Sequence, residues 1–294
     1  MAYKPGTITI GGDLEVSKIG YGAMQLTGPQ VWGPYPDHEG GVQLLRSLLD
    51  QGVNFIDTAD VYGPHTNELL IREALYPYPD ELIIATKGGF VRGGYEYSTL
   101  GWVGNPKYLR QSLMMSLQRL GLDRVQLYYL HSGHATDAPF EDQIGELKAM
   151  QDEGYIQHIG LSNVTPEQFA TARGIADIAA VTALYNVGNR MGGKLLAAAE
   201  EAGAVFSPWH PASLRDGGGN AEHVASILAP IAAAHGVTPQ QLAIAWLLHC
   251  SPTMLPIPGT KSLAHLRENV AAASVNLSED EVATITELVD ETTE

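Results

Sequence analysis

Residues 54–63 read NFIDTADVYG, an apolar strand-like run that reaches an acid at Asp57 and, shortly after, a phenol at Tyr62. Two runs further along repeat the pattern: LIIATK at 82–87 ends in Lys87, and VQLYYLH at 125–131 ends in His131. In a parallel barrel, side chains at the C-terminal ends of neighbouring strands project from one rim into one pocket, where barrel enzymes place their chemistry. Asp57, Tyr62, Lys87 and His131 are therefore expected to meet.

Outward from these runs, strand-like and helix-like segments alternate along nearly the whole chain, which predicts βαβ units. The strand candidates are KIGYGAM, NFIDT, LIIATK, VQLYYLH, IQHIGLS, AAVTALYN, AVFSPW and TMLPIPG. Before them, TITIGGDLEV alternates apolar positions on both sides of Gly11 and Gly12 and reads as a hairpin that caps the barrel floor. Helix boundaries are also visible. Asn105 and Pro106 open a segment with Leu109, Leu113, Leu117 and Leu120 on one face, and Gly121 closes it. Thr165 with Gln168, Thr238 with Gln241 and Ser278 with Glu281 have capping-box spacing. The prediction is an α/β fold: a (β/α)8 TIM barrel forming one domain over residues 1–294, with an N-terminal β-hairpin cap and extra C-terminal helices.

The 294 residues suit one such barrel, which needs about 250. With 17 Lys and Arg against 33 Asp and Glu, the formal charge of −16 repels nucleic acid and anionic lipid at long range. An anionic ligand then requires a local basic pocket. No apolar stretch approaches the roughly 18 residues that span a bilayer, and the N-terminus lacks a signal-peptide core. Cys250, the one cysteine, excludes an intrachain disulfide and lies in the apolar run LAIAWLLHC, so it reads as an inert buried thiol in a reducing, cytoplasmic compartment. Oligomeric state has no signal here.

Three less regular stretches each follow a strand end: Gln25–Pro36, Phe90–Gly104 and His210–Asn220. Long loops at that face form pocket walls. The first carries Trp32 and Tyr35, the second Tyr95, Tyr97 and Trp102, and such rings suit an apolar substrate cleft. Trp32 and Trp102, with Tyr62 and His131, are the expected substrate contacts. Any single ring also reads as loop filling.

A tyrosine hydroxyl is a weak acid, with an unperturbed pKa of about 10, and an adjacent ammonium lowers it. Lys87 is placed to supply that charge, Asp57 to hold Lys87 protonated, and His131 to hydrogen-bond a substrate oxygen. Together they form a proton-transfer unit for a carbonyl or alcohol, without a metal or a covalent nucleophile. Each residue alone reads as an ordinary salt-bridge or structural group. The conjunction carries the signal.

With these residues the chain resembles the aldo/keto reductases through GYGAMQ, NFIDTADVYG, ATKGG, LHSG, HIGLSN and IPGTKSLAHLREN, in that order, and on to NLSEDEVATITEL. Within the family, YGAMQLTGP, ADVYGPH and IREALYPY are most similar to bacterial pyridoxal reductase-type members. The resemblance implies an alcohol-dehydrogenase-type carbonyl reductase in which hydride passes from a nicotinamide and Tyr62 is the general acid. Lys87 then lowers the pKa of Tyr62, Asp57 pairs Lys87, and His131 orients the carbonyl. It implies that Gly22, Met24, Asp57 and Ser207 line the cofactor, that Ser162 and Asn163 bond the carboxamide, and that Phe206 stacks on the nicotinamide. Glu268 and Asn269 fall at the adenine. Thr260, Lys261 and Ser262, at a helix start, favour NADP(H), because a 2′-phosphate needs a cation and hydroxyl donors.

Three positions depart from the family pattern. Thr182 stands where Gln is usual, Gly259 and His265 replace a Lys and an Arg, and Trp209 and His210 replace Leu and Gly near the pyrophosphate path. Two other functions share parts of the pattern: a nicotinamide-binding regulatory subunit with little turnover, and a Schiff-base enzyme using Lys87. A carboxylate beside Lys87 argues against the second, since it keeps the lysine charged.

Overall fold

In the computed structural model, which describes residues 5–131, 133–215 and 221–287, the chain begins with an antiparallel hairpin, β1 (Thr7–Ile10) and β2 (Leu14–Ser17). Gly11 and Gly12 turn it with φ of 62° and 87°, a region glycine enters without strain. Ile10 and Val16 are fully buried against Phe55, Leu127 and Tyr129 inside the barrel, so the hairpin plugs the floor as expected.

The sheet is parallel and built in chain order. Its strands are β3 (Tyr21–Gly22), β4 (Phe55–Asp57) and β5 (Ile83–Gly88), then β8 (Val125–Leu130), β9 (Ile156–Ser162), β10 (Ile178–Leu184) and β11 (Val205–Trp209). Between β5 and β8 the chain adds an antiparallel ribbon, β6 (Phe90–Arg92) and β7 (Leu100–Trp102). The second loop expected to be irregular is therefore partly ordered.

The eighth strand candidate, TMLPIPG, makes only a bridge rather than a regular ladder. Phe206 N donates to Thr253 O at 2.9 Å, Leu255 N to Phe206 O at 2.8 Å and Gly20 N to Pro256 O at 2.9 Å. Pro256 and Pro258 have no N–H to extend it. These bonds still join β11 to the segment before β3, which closes the (β/α)8 barrel.

Helices cover the outside: α1 (His38–Arg46), α2 (Thr66–Leu75), α3 (Pro106–Leu120), α4 (Phe140–Asp152), α5 (Pro166–Arg173) and α6 (Gly193–Ala202). Past β11 come α7 (Ala221–His235) and α8 (Pro239–Cys250), and after the closing segment α9 (Leu263–Ala271) and α10 (Glu279–Thr286). The extra C-terminal helix α10 is pinned to α8 by Trp246 Nε1, which donates to Thr286 Oγ1 at 3.1 Å. All three capping boxes form as their spacing predicts.

Helix α3 illustrates why the helices sit where they do. Its four leucines are buried, each worth about 1.5–3 kcal/mol on leaving water, and Gly121 ends it at φ 70°. A Cβ there would also meet the Arg72 guanidinium at 2.9 Å. Cys250, at the end of α8, donates its thiol to Trp246 O, and burial pushes its pKa up to about 12. Residues 216–220 of the third expected loop, Ser132 of the LHSG motif and Leu288 of the last motif lie outside the described residues.

Candidate active site

Strand pairing sets the centre of the site. Asp57 pairs with Ala85 across β4 and β5, so Lys87, two residues further, extends past it from the same face. Lys87 Nζ donates to Asp57 Oδ1 and, at 2.9 Å, to Thr58 O. Both side chains are almost completely buried, at 3% and 4% exposure. Burial pushes the Asp57 carboxyl above its usual range, and the Lys87 ammonium offsets part of that.

Tyr62 stands in the turn after β4, where its N–H donates to Ala59 O and Gly63 follows at φ 76°. Lys87 Nζ lies 5.3 Å from the centroid of its ring. His131 follows β8, with its N–H on Gly88 O at 2.8 Å, and its imidazole meets the Tyr62 ring edge-on at 6.2 Å. On the other side it packs against Phe90 at 4.1 Å. The four expected residues thus converge.

The electrostatics correct one expectation. Burial, followed by the Asp57 charge, holds the Tyr62 phenol well above its ordinary pKa, whereas Lys87 was expected to lower it. The Lys87 ammonium is paired with Asp57, and its attraction for a phenolate does not outweigh burial and the carboxylate charge. Tyr62 accordingly stays protonated at neutral pH, as a proton donor must. Burial and Lys87 together hold His131 well below its usual pKa, leaving a neutral imidazole with one N–H to offer. Nδ1 of that ring is buried without a partner, as is Asp57 Oδ2.

These residues form the base of a cavity of about 700 Å³. Of the expected positions, Gly22, Met24, Asp57, Tyr62, Lys87, Trp102, His131 and Asn163 line it. Gly22 is required by space, since a Cβ would meet Ile257 O at 2.6 Å. Trp32 is not in the wall: it lies behind Arg92, whose guanidinium carbon is 5.2 Å from its ring.

Phe206 is not placed for stacking on a nicotinamide. Strand alternation turns its ring outward into the core between barrel and helices, fully buried and edge-on to Tyr185 at 6.0 Å. Trp209 lines the cavity from the same strand, and His210 follows at φ 48°, a conformation that explains why glycine is common there. Ser162 and Ser207 lie fully buried below the cavity, each with an Oγ that meets no hydrogen-bond geometry, although the Tyr129 hydroxyl lies near Ser207. Thr182, on the inward face of β10 beside Ser162 and Ser207, is fully buried, its Oγ1 donating to Ser207 O at 2.6 Å.

The C-terminal positions lie beside the cavity. Thr260 Oγ1 accepts from Ser262 N, and Ser262 Oγ caps α9 by accepting from His265 N. The Lys261 ammonium is exposed, 5.6 Å from the Tyr35 ring centroid. Glu268 is exposed and Asn269 buried. A dinucleotide fits this set: the unpartnered Ser162 hydroxyl and Asn163 meet the tetrad end, Trp209 and His210 form the wall, and Lys261 is a cation past Gly259.

Sequence reasoning missed Phe90, Arg92, Leu100 and Val31, all of which line the cavity. The signal was present but weak. Phe90 and Arg92 alternate in the triplet FVR, opposite LGW, a pattern too short to distinguish a ribbon from a loop.

Residues 18–290 match the sequence model of the aldo/keto reductase family. Pyridoxine 4-dehydrogenase of Escherichia coli K12 is 43% identical over 286 residues, covering 95% of this chain and 96% of that protein. A thermostable aldo-keto reductase solved with the inhibitor epalrestat superposes with a TM-score of 0.83 at 28% identity, over 97% of this chain and 100% of its own. An aldo-keto reductase of Klebsiella pneumoniae solved with NADPH gives a TM-score of 0.80 at 26% identity, with 97% and 95% covered.

Proposed function

Because this chain belongs to the aldo/keto reductase family, we propose that it is an NADP(H)-dependent oxidoreductase that reduces an aldehyde or ketone to the alcohol, with pyridoxal or a similar aromatic aldehyde as substrate. The observation that carries this reading is the convergence of Tyr62, Lys87, Asp57 and His131 at the base of one aromatic-walled cavity. Bound NADPH supplies the hydride. Asn163, Trp209 and His210 in the cavity wall, with the buried Ser162 hydroxyl beneath them, would hold the cofactor, and Lys261, Thr260 and Ser262 would meet its 2′-phosphate end.

The neutral His131 offers its N–H to the carbonyl oxygen and fixes its direction. As negative charge grows on that oxygen, Tyr62 gives up its proton to it, and the Lys87 ammonium beside the ring stabilises the phenolate that remains. Asp57 and Thr58 O hold Lys87 in place. The aromatic faces of Trp102 and Phe90 suit a planar substrate ring, and the whole chain acts as one unit in a reducing, cytoplasmic compartment.

The test is Tyr62→Phe. Loss of the proton donor is expected to lower kcat by roughly 10²–10⁴-fold while the Kd for NADPH, read by fluorescence, changes little. An unchanged rate would reject the assignment. Tight NADPH binding with no turnover across an aldehyde panel including pyridoxal would instead indicate a regulatory subunit.

A further inference from the structure

The pocket wall contains a cation that the proton-transfer unit does not use. Arg92, the last residue of β6, sends Nη1 to Gln30 O at 2.9 Å and Nη2 to Tyr95 O at 2.5 Å. Its guanidinium lies between two rings, 5.2 Å from Trp32 and 5.6 Å from Tyr97. Trp32 and Gln30 belong to the loop after β3, whereas Tyr95 and Tyr97 belong to the ribbon. One side chain therefore joins two loops that are far apart in sequence.

The backbone it holds is strained. Gln30 and Val31 have φ of 59° and 55°, and a β-branched residue rarely enters that region unless its surroundings impose it. The same strained turn leads directly to the proton donor. Gly63 N donates to Val31 O at 3.1 Å, and Gly33 N donates back to Gly63 O at 3.1 Å. Gly63 is the neighbour of Tyr62. Contacts thus run from Arg92 through Gln30 and Val31 to the turn that carries the phenol.

We propose that Arg92 is a positioning residue: it clamps the loop after β3 to the β6–β7 ribbon, and through Val31 and Gly63 it sets both the width of the substrate pocket and the placement of Tyr62. A planar fork is suited to this task, because two carbonyls and two ring faces are engaged at once. Lysine has neither the fork nor the plane. The effect on substrate rests on the proposed carbonyl reduction, but the clamp itself does not.

Arg92→Met and Arg92→Lys test it by two readouts. In the cofactor-free protein, amide hydrogen exchange at Gly28, Trp32, Gly33 and Gly63 is expected to quicken at least about tenfold in both variants, with the barrel strands unchanged, since charge-assisted hydrogen bonds are lost. In turnover, KM for an aromatic aldehyde should rise by about tenfold or more in both, with a smaller change for propanal and an NADPH Kd within about twofold. Unchanged exchange at those four amides would overturn the clamp. So would uniform acceleration across the whole barrel, which marks a merely structural role. If Tyr62→Phe turned over normally, the exchange result would still decide the clamp while the proposed chemistry failed.

Discussion

The strand ends and the rim loops solve different problems with different materials. At the strand ends, Asp57 and Lys87 are almost fully buried, held by a fixed register and bonded to each other. At the rim, Tyr95, Tyr97 and Trp102 are each 49% exposed, and Arg92 meets carbonyls and rings rather than carboxylates. Buried charge demands a partner, so the floor is a closed electrostatic unit whose members cannot be removed singly. The rim has no such demand, so a change there alters the shape of the pocket without stranding a buried carboxylate. Chemistry on rigid strands with selectivity on loops follows from that difference.

Breaking the floor should have the largest effect. Lys87→Met leaves Asp57 as a buried, unpaired carboxylate, which costs roughly 3–5 kcal/mol of stability, and turnover should fall at least as far as in Tyr62→Phe. The double variant Asp57→Asn/Lys87→Met removes both charges. Thermal denaturation is expected to show stability largely restored while activity remains lost. A double variant no more stable than the single one would mean that the pair is not an isolated electrostatic unit.

A second buried carboxyl sharpens the comparison because it is close to the floor but turned away from the pocket. Asp60 accepts from Ser112 Oγ at 2.6 Å through one oxygen, while the other has no partner. Burial raises its pKa from 3.8 to about 7, with Glu68 adding repulsion, although the hydrogen bond from Ser112 and the charge of Arg119 act against the rise. The folded state therefore holds a proton that the unfolded chain releases. This contribution is complete below about pH 4 and is lost as pH rises through about 7, on the order of 2–4 kcal/mol in all. Asp60→Asn keeps an acceptor for Ser112 and cannot ionise. It should melt higher than the parent at pH 8, the difference shrinking toward pH 5; equal slopes of Tm against pH would disprove the titration.

The same division explains what was legible in the chain. The floor could be read because a strand of apolar residues ending in one polar group is a local pattern, and Asp57, Lys87 and His131 each end such a run. Phe206 was misplaced because its side of the sheet depends on the phase of strand alternation, which the family pattern does not state. The closing segment was read as a strand from its apolar residues, but Pro256 and Pro258 deny it a ladder. Arg92 escaped notice for a different reason: its partners are backbone carbonyls and rings contributed by two loops, and such partners leave no trace in sequence spacing. Lys87 was expected to acidify Tyr62 because proximity was legible and burial was not.

The smallest effect belongs to the rim. Trp102 faces the cavity, tilted against Phe90 at 6.3 Å and His134 at 5.6 Å, with half its surface exposed before any ligand arrives. Truncating it to alanine removes a ring that supports little of the fold, so Tm should move by about a degree or less, below the roughly 2–4 °C that 1 kcal/mol gives a domain of 150–250 residues. A planar substrate would lose a stacking face worth about 0.5–1.5 kcal/mol together with buried area. KM for an aromatic aldehyde should rise roughly tenfold, with kcat nearly unchanged, because the contact is the same in ground and transition states. If kcat fell instead and KM held, Trp102 would belong with the floor, and the separation of chemistry from selectivity would not hold at this position.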